Sequence, residues 1–296
     1  MALTSRTDLK KNKDYPNASK DKDGKLLVGA AIKANAWDTL DKTRVEALYQ
    51  AGCNIIVLDA QNGDNNLQIS YIRYIKSTFP SIDVIAGNVV RASQAKTLLN
   101  AGADAIRIGM GVGSVATTQL VKAVGRPQLA SIYACSQVAR AYGVPVIADG
   151  GIKNTGCLIK ALAVGADCVM MGSLLAGVNE SPGEYYFQDG MRLKHYRGTM
   201  STSRPAQNLP SNVTTPLARL ASGVNGAVVD KGPLSRYFPF LCQSVRHGFQ
   251  DMGAKSLAVL REQLDSGVLR FELRSSSAQR EGGVHDLHSF TQRLYA

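Results

Sequence analysis

Asp104-Ala-Ile-Arg-Ile-Gly-Met-Gly-Val-Gly-Ser-Val-Ala-Thr-Thr-Gln119 is the stretch from which the fold of this chain is read. Its apolar start, residues 105–108, reads as a buried strand. The strand runs into a loop with glycines at 109, 111 and 113, followed by Ser114, Thr117 and Thr118. Glycine lets a backbone approach a ligand closely and turn its N–H groups toward an anion, and the hydroxyls add donors. A Gly-x-Gly-x-Gly alone also occurs in plain strand-to-helix turns, so the flanking sequence has to decide.

Outward from this loop, the same unit repeats. Apolar runs predict strands over 26–32, 55–59, 84–88, 106–109, 146–151 and 168–173, with helices over 38–50, 68–76, 92–100, 129–142 and 156–164 between them. In the first of these helices Leu40, Val45 and Leu48 share a face. Gly52, Gly102, Gly143 and Gly165 each stand just past a helix and before a strand, where a left-handed cap is needed. Near-continuous apolar strands alternating with helices indicate a parallel sheet covered by helices. Six strands fit either a doubly wound sheet or part of a (β/α)8 TIM barrel. The polar residues favour the barrel. Asp59, Asn88, Gly109, Asp149 and Gly172 all fall at or just after strand C-ends, where barrels keep their sites. The expectation is therefore an α/β chain, an incomplete (β/α)8 barrel of about six βα units.

Residues 1–25 are polar and lysine-rich and read as a lead-in linker, leaving 26–296 as the barrel-type domain. After Leu174 the alternation stops. Residues 181–187 read as a turn followed by aromatics, and 199–216, rich in Ser, Thr, Pro and Asn, as a mobile loop. Residues 257–264 read as a helix and 275–283 as an exposed tail.

The 45% hydrophobic share over 296 residues provides a sizeable core. No apolar run approaches the roughly 18 residues of a membrane span, and the first residues lack a signal-peptide core. Cys53, Cys135, Cys157, Cys168 and Cys242 are odd in number and scattered, which fits free thiols in the cytoplasm. A net charge of +11 would suit an anionic partner. The lysines of the lead-in are interleaved with Asp8, Asp14, Asp21 and Asp23, which describes a solvated segment and speaks against nucleic acid as a primary partner.

The string around the glycine loop resembles the active-site loop of inosine monophosphate dehydrogenase. So do Arg6-Thr-Asp-Leu-Lys-Lys-Asn, Gly87-Asn-Val-Val, Gly125-Arg-Pro-Gln, Ile147-Ala-Asp-Gly-Gly, Met170-Met-Gly-Ser-Leu-Leu-Ala, Pro182-Gly-Glu-Tyr and Glu281-Gly-Gly-Val-His. The likeness covers nearly the whole chain. Guanosine monophosphate reductase shares the loop but resembles the segments after residue 120 much less. The resemblance implies NAD-dependent oxidation of IMP in guanine nucleotide biosynthesis, in tetramers of the family type. It implies that Ser114, Gly151, Gly172, Ser173 and Tyr196 hold the phosphate of a purine 5′-monophosphate, and that Asp149 holds its ribose. Backbone N–H groups and hydroxyls at helix starts suit that task on their own account. Asp59, Asn88 and Arg107 would lie on the NAD side. The carbonyls of Gly111 and Gly113, with Glu281, Gly282 and Gly283 of a neighbouring subunit, would hold K+. His285 and His288 match the family tail and read as structural.

The departures are as informative. Ala116 stands where the family has its catalytic cysteine, whose thiolate adds to the purine and later leaves. Thr117 and Thr118 beside it lack an adjacent base. The flap region, about 197–222, contains no Arg-Tyr pair to activate water, and Ser222 stands at a base-reading glutamine. Ala60 and Gln61 replace two serines. The match begins just before the family's third strand, so two strands and the regulatory CBS modules are not in this sequence. The expectation is a chain that keeps the nucleotide phosphate site and has lost the chemistry. It would act in a homo- or hetero-oligomer with inosine monophosphate dehydrogenase subunits as an assembly or regulatory partner, or be a degenerate copy.

Overall fold

The computed structural model describes residues 4–35, 39–197, 224–290 and 295. The apolar runs form one parallel sheet of six strands, β1 (Gly29–Lys33), β2 (Ile55–Asp59), β3 (Asp83–Val89), β4 (Ala105–Ile108), β5 (Val146–Asp149) and β6 (Cys168–Met170), hydrogen-bonded in that order. A doubly wound sheet would reverse its strand order at a switch point. The unbroken sequential order settles the architecture as an incomplete (β/α)8 barrel. Among the described residues, the outer edges of β1 and β6 carry no further strand.

The connecting helices are α2 (Lys42–Gln50), α3 (Asn66–Thr78), α4 (Ala92–Asn100), the short α5 (Thr118–Lys122), α6 (Gln128–Ala141) and α7 (Thr155–Ala163). Their starts are written in the sequence. Asp41, Asn65 and Asn154 each accept a backbone N–H of the first helical turn, a cap whose loss costs about 1 kcal/mol. The four glycines past the helices all have positive φ, from +67° to +120°. Ile56, Leu58, Val84, Ile106, Ile108 and Ala148 of the sheet pack with Ile72 and Ile75 of α3, Leu98 of α4, Ile132 of α6 and Leu158 of α7. Every side chain of β4 is buried. Each fully buried Leu or Ile contributes about 1.5–3 kcal/mol.

Three boundaries move by three residues or more from the sequence expectation. The strand expected over 26–32 begins at Gly29, and Leu26 is 63% exposed. The strand expected over 168–173 ends at Met170, because the chain turns away there to line a cavity. The helix expected over 38–50 begins at Lys42, and Asp38 lies outside the described residues. The lead-in contains a helix, α1 (Arg6–Asp14), N-capped by Ser5 and burying none of its residues.

Beyond the barrel strands lies an antiparallel sheet of β7 (Tyr185–Gln188), β8 (Met191–Arg197) and β9 (Asn225–Val229). It is followed by α8 (Leu234–Asp251), α9 (Leu257–Asp265) and the exposed α10 (Ser276–Glu281). The loop expected over 199–216 and Ser222 lie outside the described residues, as does the flap region except for Arg197 at the end of β8. Among the described residues no helix is long and apolar enough to cross a membrane.

Candidate functional site

Three parallel strands and one antiparallel strand deliver the site. The glycine loop leaves β4, Gly150 and Gly151 leave β5, and Met171, Gly172 and Ser173 leave β6. Together with Tyr196 of β8 these segments enclose a cavity of about 120 Å³. Ser114, Asp149, Gly151, Gly172, Ser173 and Tyr196, the residues read from the sequence as a phosphate and ribose set, all line it. The cavity is smaller than the roughly 300–1,000 Å³ that encloses a drug-sized ligand. It accommodates one end of a molecule, a group such as phosphate.

The close approach of these segments depends on missing side chains. Gly109 has φ +145°, and a Cβ there would overlap the carbonyl oxygen of Asp149. Gln128 fastens the same two strand ends, its Nε2 donating to the carbonyls of Ile108 and Asp149, each at 2.9 Å. A Cβ on Gly172 would lie 3.1 Å from the hydroxyl of Tyr196, so that hydroxyl closes over the turn after β6. Gly150 and Gly151, with φ +88° and +77°, put two successive residues in a conformation that side chains disfavour.

Tyr196 is placed by Lys194, two residues back on the same face of β8. Lys194 is 1% exposed, and its ammonium donates to the carbonyls of Val178 (2.7 Å), Asn179 (3.3 Å) and Ser181. A buried cation requires such partners, and here they tie β8 to the turn after β6. Neither Gln128 nor Lys194 was identified as a site residue from the sequence. Gln128 lies in the quoted Gly125-Arg-Pro-Gln string, which was its one signal.

Beside the cavity, the ends of β2 to β5 form a polar network. Asp149 Oδ2 accepts from Asn88 Nδ2 at 3.0 Å and lies 3.8 Å from Arg107 Nε. Arg107, 8% exposed, also pairs with Asp59. A carboxylate at the rim would repel an anion in the cavity, and Arg107, shared with Asp59, offsets part of that charge. Asn88 Oδ1 and Arg107 Nε are buried without a hydrogen-bond partner among the described residues. The structure thus joins Asn88 and Arg107 at Asp149, and Asp59 to them through Arg107.

Ala116 is exposed on the glycine loop, with its N–H bonded to the carbonyl of Gly113 at 3.1 Å, and Thr118 opens α5. None of the five cysteines is among the residues lining the cavity. Burial pushes the Cys135 thiol up to about 11 and raises that of Cys168, where Asp167 adds to the effect. None of the five lies on the glycine loop. Gly111 and Gly113 belong to the loop, whereas Glu281, Gly282 and Gly283 stand exposed at the end of α10. Gly282 and Gly283 donate their N–H groups locally, to Ala278 and Arg280.

Residues 3–285 match the family model of the IMP dehydrogenase / GMP reductase domain. Curated inosine-5′-monophosphate dehydrogenases are similar along the chain. The one from Toxoplasma gondii is 44% identical over 100% of this chain and 63% of its own length. Those from Caenorhabditis elegans and Schizosaccharomyces pombe are 44% and 46% identical, over 99% and 100% of this chain and 56% and 57% of their own. The chain therefore spans a little over half the length of these relatives.

Proposed function

Because the chain belongs to the IMP dehydrogenase / GMP reductase family, we propose that its cavity holds the phosphate of a purine 5′-monophosphate and that the chain does not carry the nucleotide through catalysis. The convergence of Ser114, Ser173, the Tyr196 hydroxyl and the glycine turns after β4, β5 and β6 on one small cavity carries this reading. Such a set offers hydroxyl and backbone donors to an anion without a carboxylate other than Asp149, whose free oxygen suits a pair of ribose hydroxyls. The setting implied by the family is guanine nucleotide biosynthesis.

The chemistry is absent at the position that matters. Addition to the purine needs a group that attacks well and leaves well, and the methyl of Ala116 can do neither. The family-implied NAD would supply a hydride acceptor. Asn88 Oδ1 and Arg107 Nε, unpartnered beside Asp149, fit a polar group at that end of the site. For K+, the carbonyl oxygens of Gly111 and Gly113 are donors of the right hard type, and Glu281, Gly282 and Gly283 would have to come from a second subunit.

Calorimetry with IMP and with inosine tests the binding proposal. IMP should bind at least about tenfold more tightly, since charge-assisted hydrogen bonds contribute roughly 1.5–3 kcal/mol each. Equal affinities would overturn the phosphate reading. With IMP and NAD in excess, NADH absorbance should stay flat, and sustained turnover would overturn the non-catalytic reading.

The edges of β1 and β6, which carry no further strand among the described residues, and the exposed run Leu26, Leu27 and Val28 favour a second reading, as an assembly or regulatory partner of inosine monophosphate dehydrogenase subunits. Light scattering of the chain alone and mixed with a full-length homologue tests it. A monomer indifferent to the homologue would count against it.

A further inference from the structure

A second, larger cleft of about 760 Å³ shares no lining residue with the phosphate cavity. It lies among the start of α7, the turn between β7 and β8, the segment after β9 and the first half of α8. Its volume falls in the range of small-molecule sites.

One wall is aromatic. Tyr237, Phe240 and Tyr295 pack together, Tyr295 with its ring centroid 4.8 Å from that of Tyr237 and 4.9 Å from that of Phe240. The charged residues of the lining are mostly cationic. Lys153, Arg192, Lys231 and Arg236 line the cleft with a single carboxylate, Asp230. Asp230 is paired with Arg192 at 3.4 Å. Among the described residues, no carboxylate pairs with Lys153, Lys231 or Arg236. Lys153 and Arg236 are exposed at the rim, whereas Lys231 reaches inward. The Lys231 ammonium donates to the carbonyl of Leu174 and lies 5.0 Å from the centre of the Tyr237 ring. The partners it has are neutral. Burial holds its affinity for a proton below the usual lysine range, the state of a cation that lacks a counter-ion.

We propose that this cleft is a binding site for a planar aromatic anion, its ring against Phe240 and Tyr295, which the buried Tyr237 backs, and its phosphate or carboxylate toward Lys231, Lys153 and Arg236. Ring stacking and charge compensation act on opposite ends of such a ligand, so neither an uncharged ring nor a bare anion matches both walls. The start of α7 at the cleft adds partial positive charge, whereas the Leu234 N–H at the start of α8 already donates to the Glu180 carboxylate at 2.9 Å.

Pyridoxal 5′-phosphate is a probe of this class with a built-in report of where it sits. The amine of Lys231 attacks its aldehyde carbon, water leaves with the aldehyde oxygen, and borohydride delivers hydride to the resulting C=N carbon to give a stable secondary amine. Peptide mass spectrometry on the whole chain then locates the label. Lys231 should be labelled at least about tenfold faster than exposed lysines such as Lys22, and pyridoxal without phosphate should lose about that factor. 1-Naphthyl phosphate should protect Lys231, whereas inorganic phosphate at the same concentration should not. Arg236→Gln and Lys153→Gln, both at exposed positions, should each slow Lys231 labelling roughly threefold or more without changing the melting temperature. Labelling of Lys231 no faster than that of Lys22, equal labelling by pyridoxal, or equal protection by inorganic phosphate would each overturn the proposal.

Discussion

At the scale of single residues, Gly109 and Gly143 separate conformation from close contact. Both have positive φ, but a Cβ on Gly143 meets nothing within 4 Å, whereas one on Gly109 strikes the Asp149 carbonyl. Gly143→Ala should cost about 1–2 kcal/mol in urea unfolding, the penalty of the conformation alone. Gly109→Ala should cost at least about 3 kcal/mol, since backbone has to move, and should weaken IMP binding too. Equal losses would show that the ends of β4 and β5 have slack. Ala116→Cys asks how much one atom restores. It should allow at most a single burst of NADH, one equivalent or less, because no Arg-Tyr pair lies in 197–222 to activate water. General-base help is worth roughly 10²–10⁴-fold. Pre-steady-state absorbance with IMP and NAD in excess reads this, and multiple turnovers would reveal an activating residue elsewhere. That Ser114, Asp149 and Ser173 would meet at one cavity could be anticipated from the sequence, because they sit in strings that name their neighbours. Lys194 could not, since its partners lie 13 to 16 residues away, on another element.

Among the elements, α6 carries a pH-dependent contribution to stability. The Cys135 thiol is buried in its core face, and burial pushes it up to about 11 from the 9.0 of an exposed thiol. A thiol whose folded pKa is raised favours the folded state below the unfolded pKa, and that contribution is lost as pH climbs through 9.0 toward about 11. By pH 10.5 the loss from this one group should be about 2 kcal/mol. Cys135→Ala should start less stable at pH 8, because a small cavity is left, yet decline less between pH 8 and 10.5. Parallel decline in urea titrations of the two proteins would show that the thiol is not the group responsible. The strands of the main sheet were legible because their apolar runs are nearly continuous, most so in β4 and β5, which are buried along almost their whole length. The second sheet was not. In β8, Met-Arg-Leu-Lys-His-Tyr-Arg alternates around one buried lysine rather than an apolar residue. Helix α8 was obscured by Pro239 inside it, and α1 by having no buried face to announce it.

For the whole molecule, the strand order has a consequence for where the chain loosens first. Among the described residues, each strand of the main sheet is hydrogen-bonded only to its neighbours in sequence, and the two terminal strands to one neighbour each. Such a sheet behaves as a row of coupled units, like a stacked repeat, and frays from its ends. Amide protons of β3 and β4 should exchange most slowly with deuterium, and those of β1 and β6 fastest, through local openings well below the global free energy. The phosphate cavity is built on one of those fraying ends, since Met170 to Ser173 continue directly from β6. A bound nucleotide would pin that end to the loop after β4 and to Tyr196. IMP should therefore slow exchange in β6 and the turn after it while leaving β1 unchanged, and uniform slowing at both ends would show that the sheet opens only as a whole. Occupancy of a small cavity would then be read out as the stiffness of one margin of the protein, the margin through which a neighbouring chain would meet it.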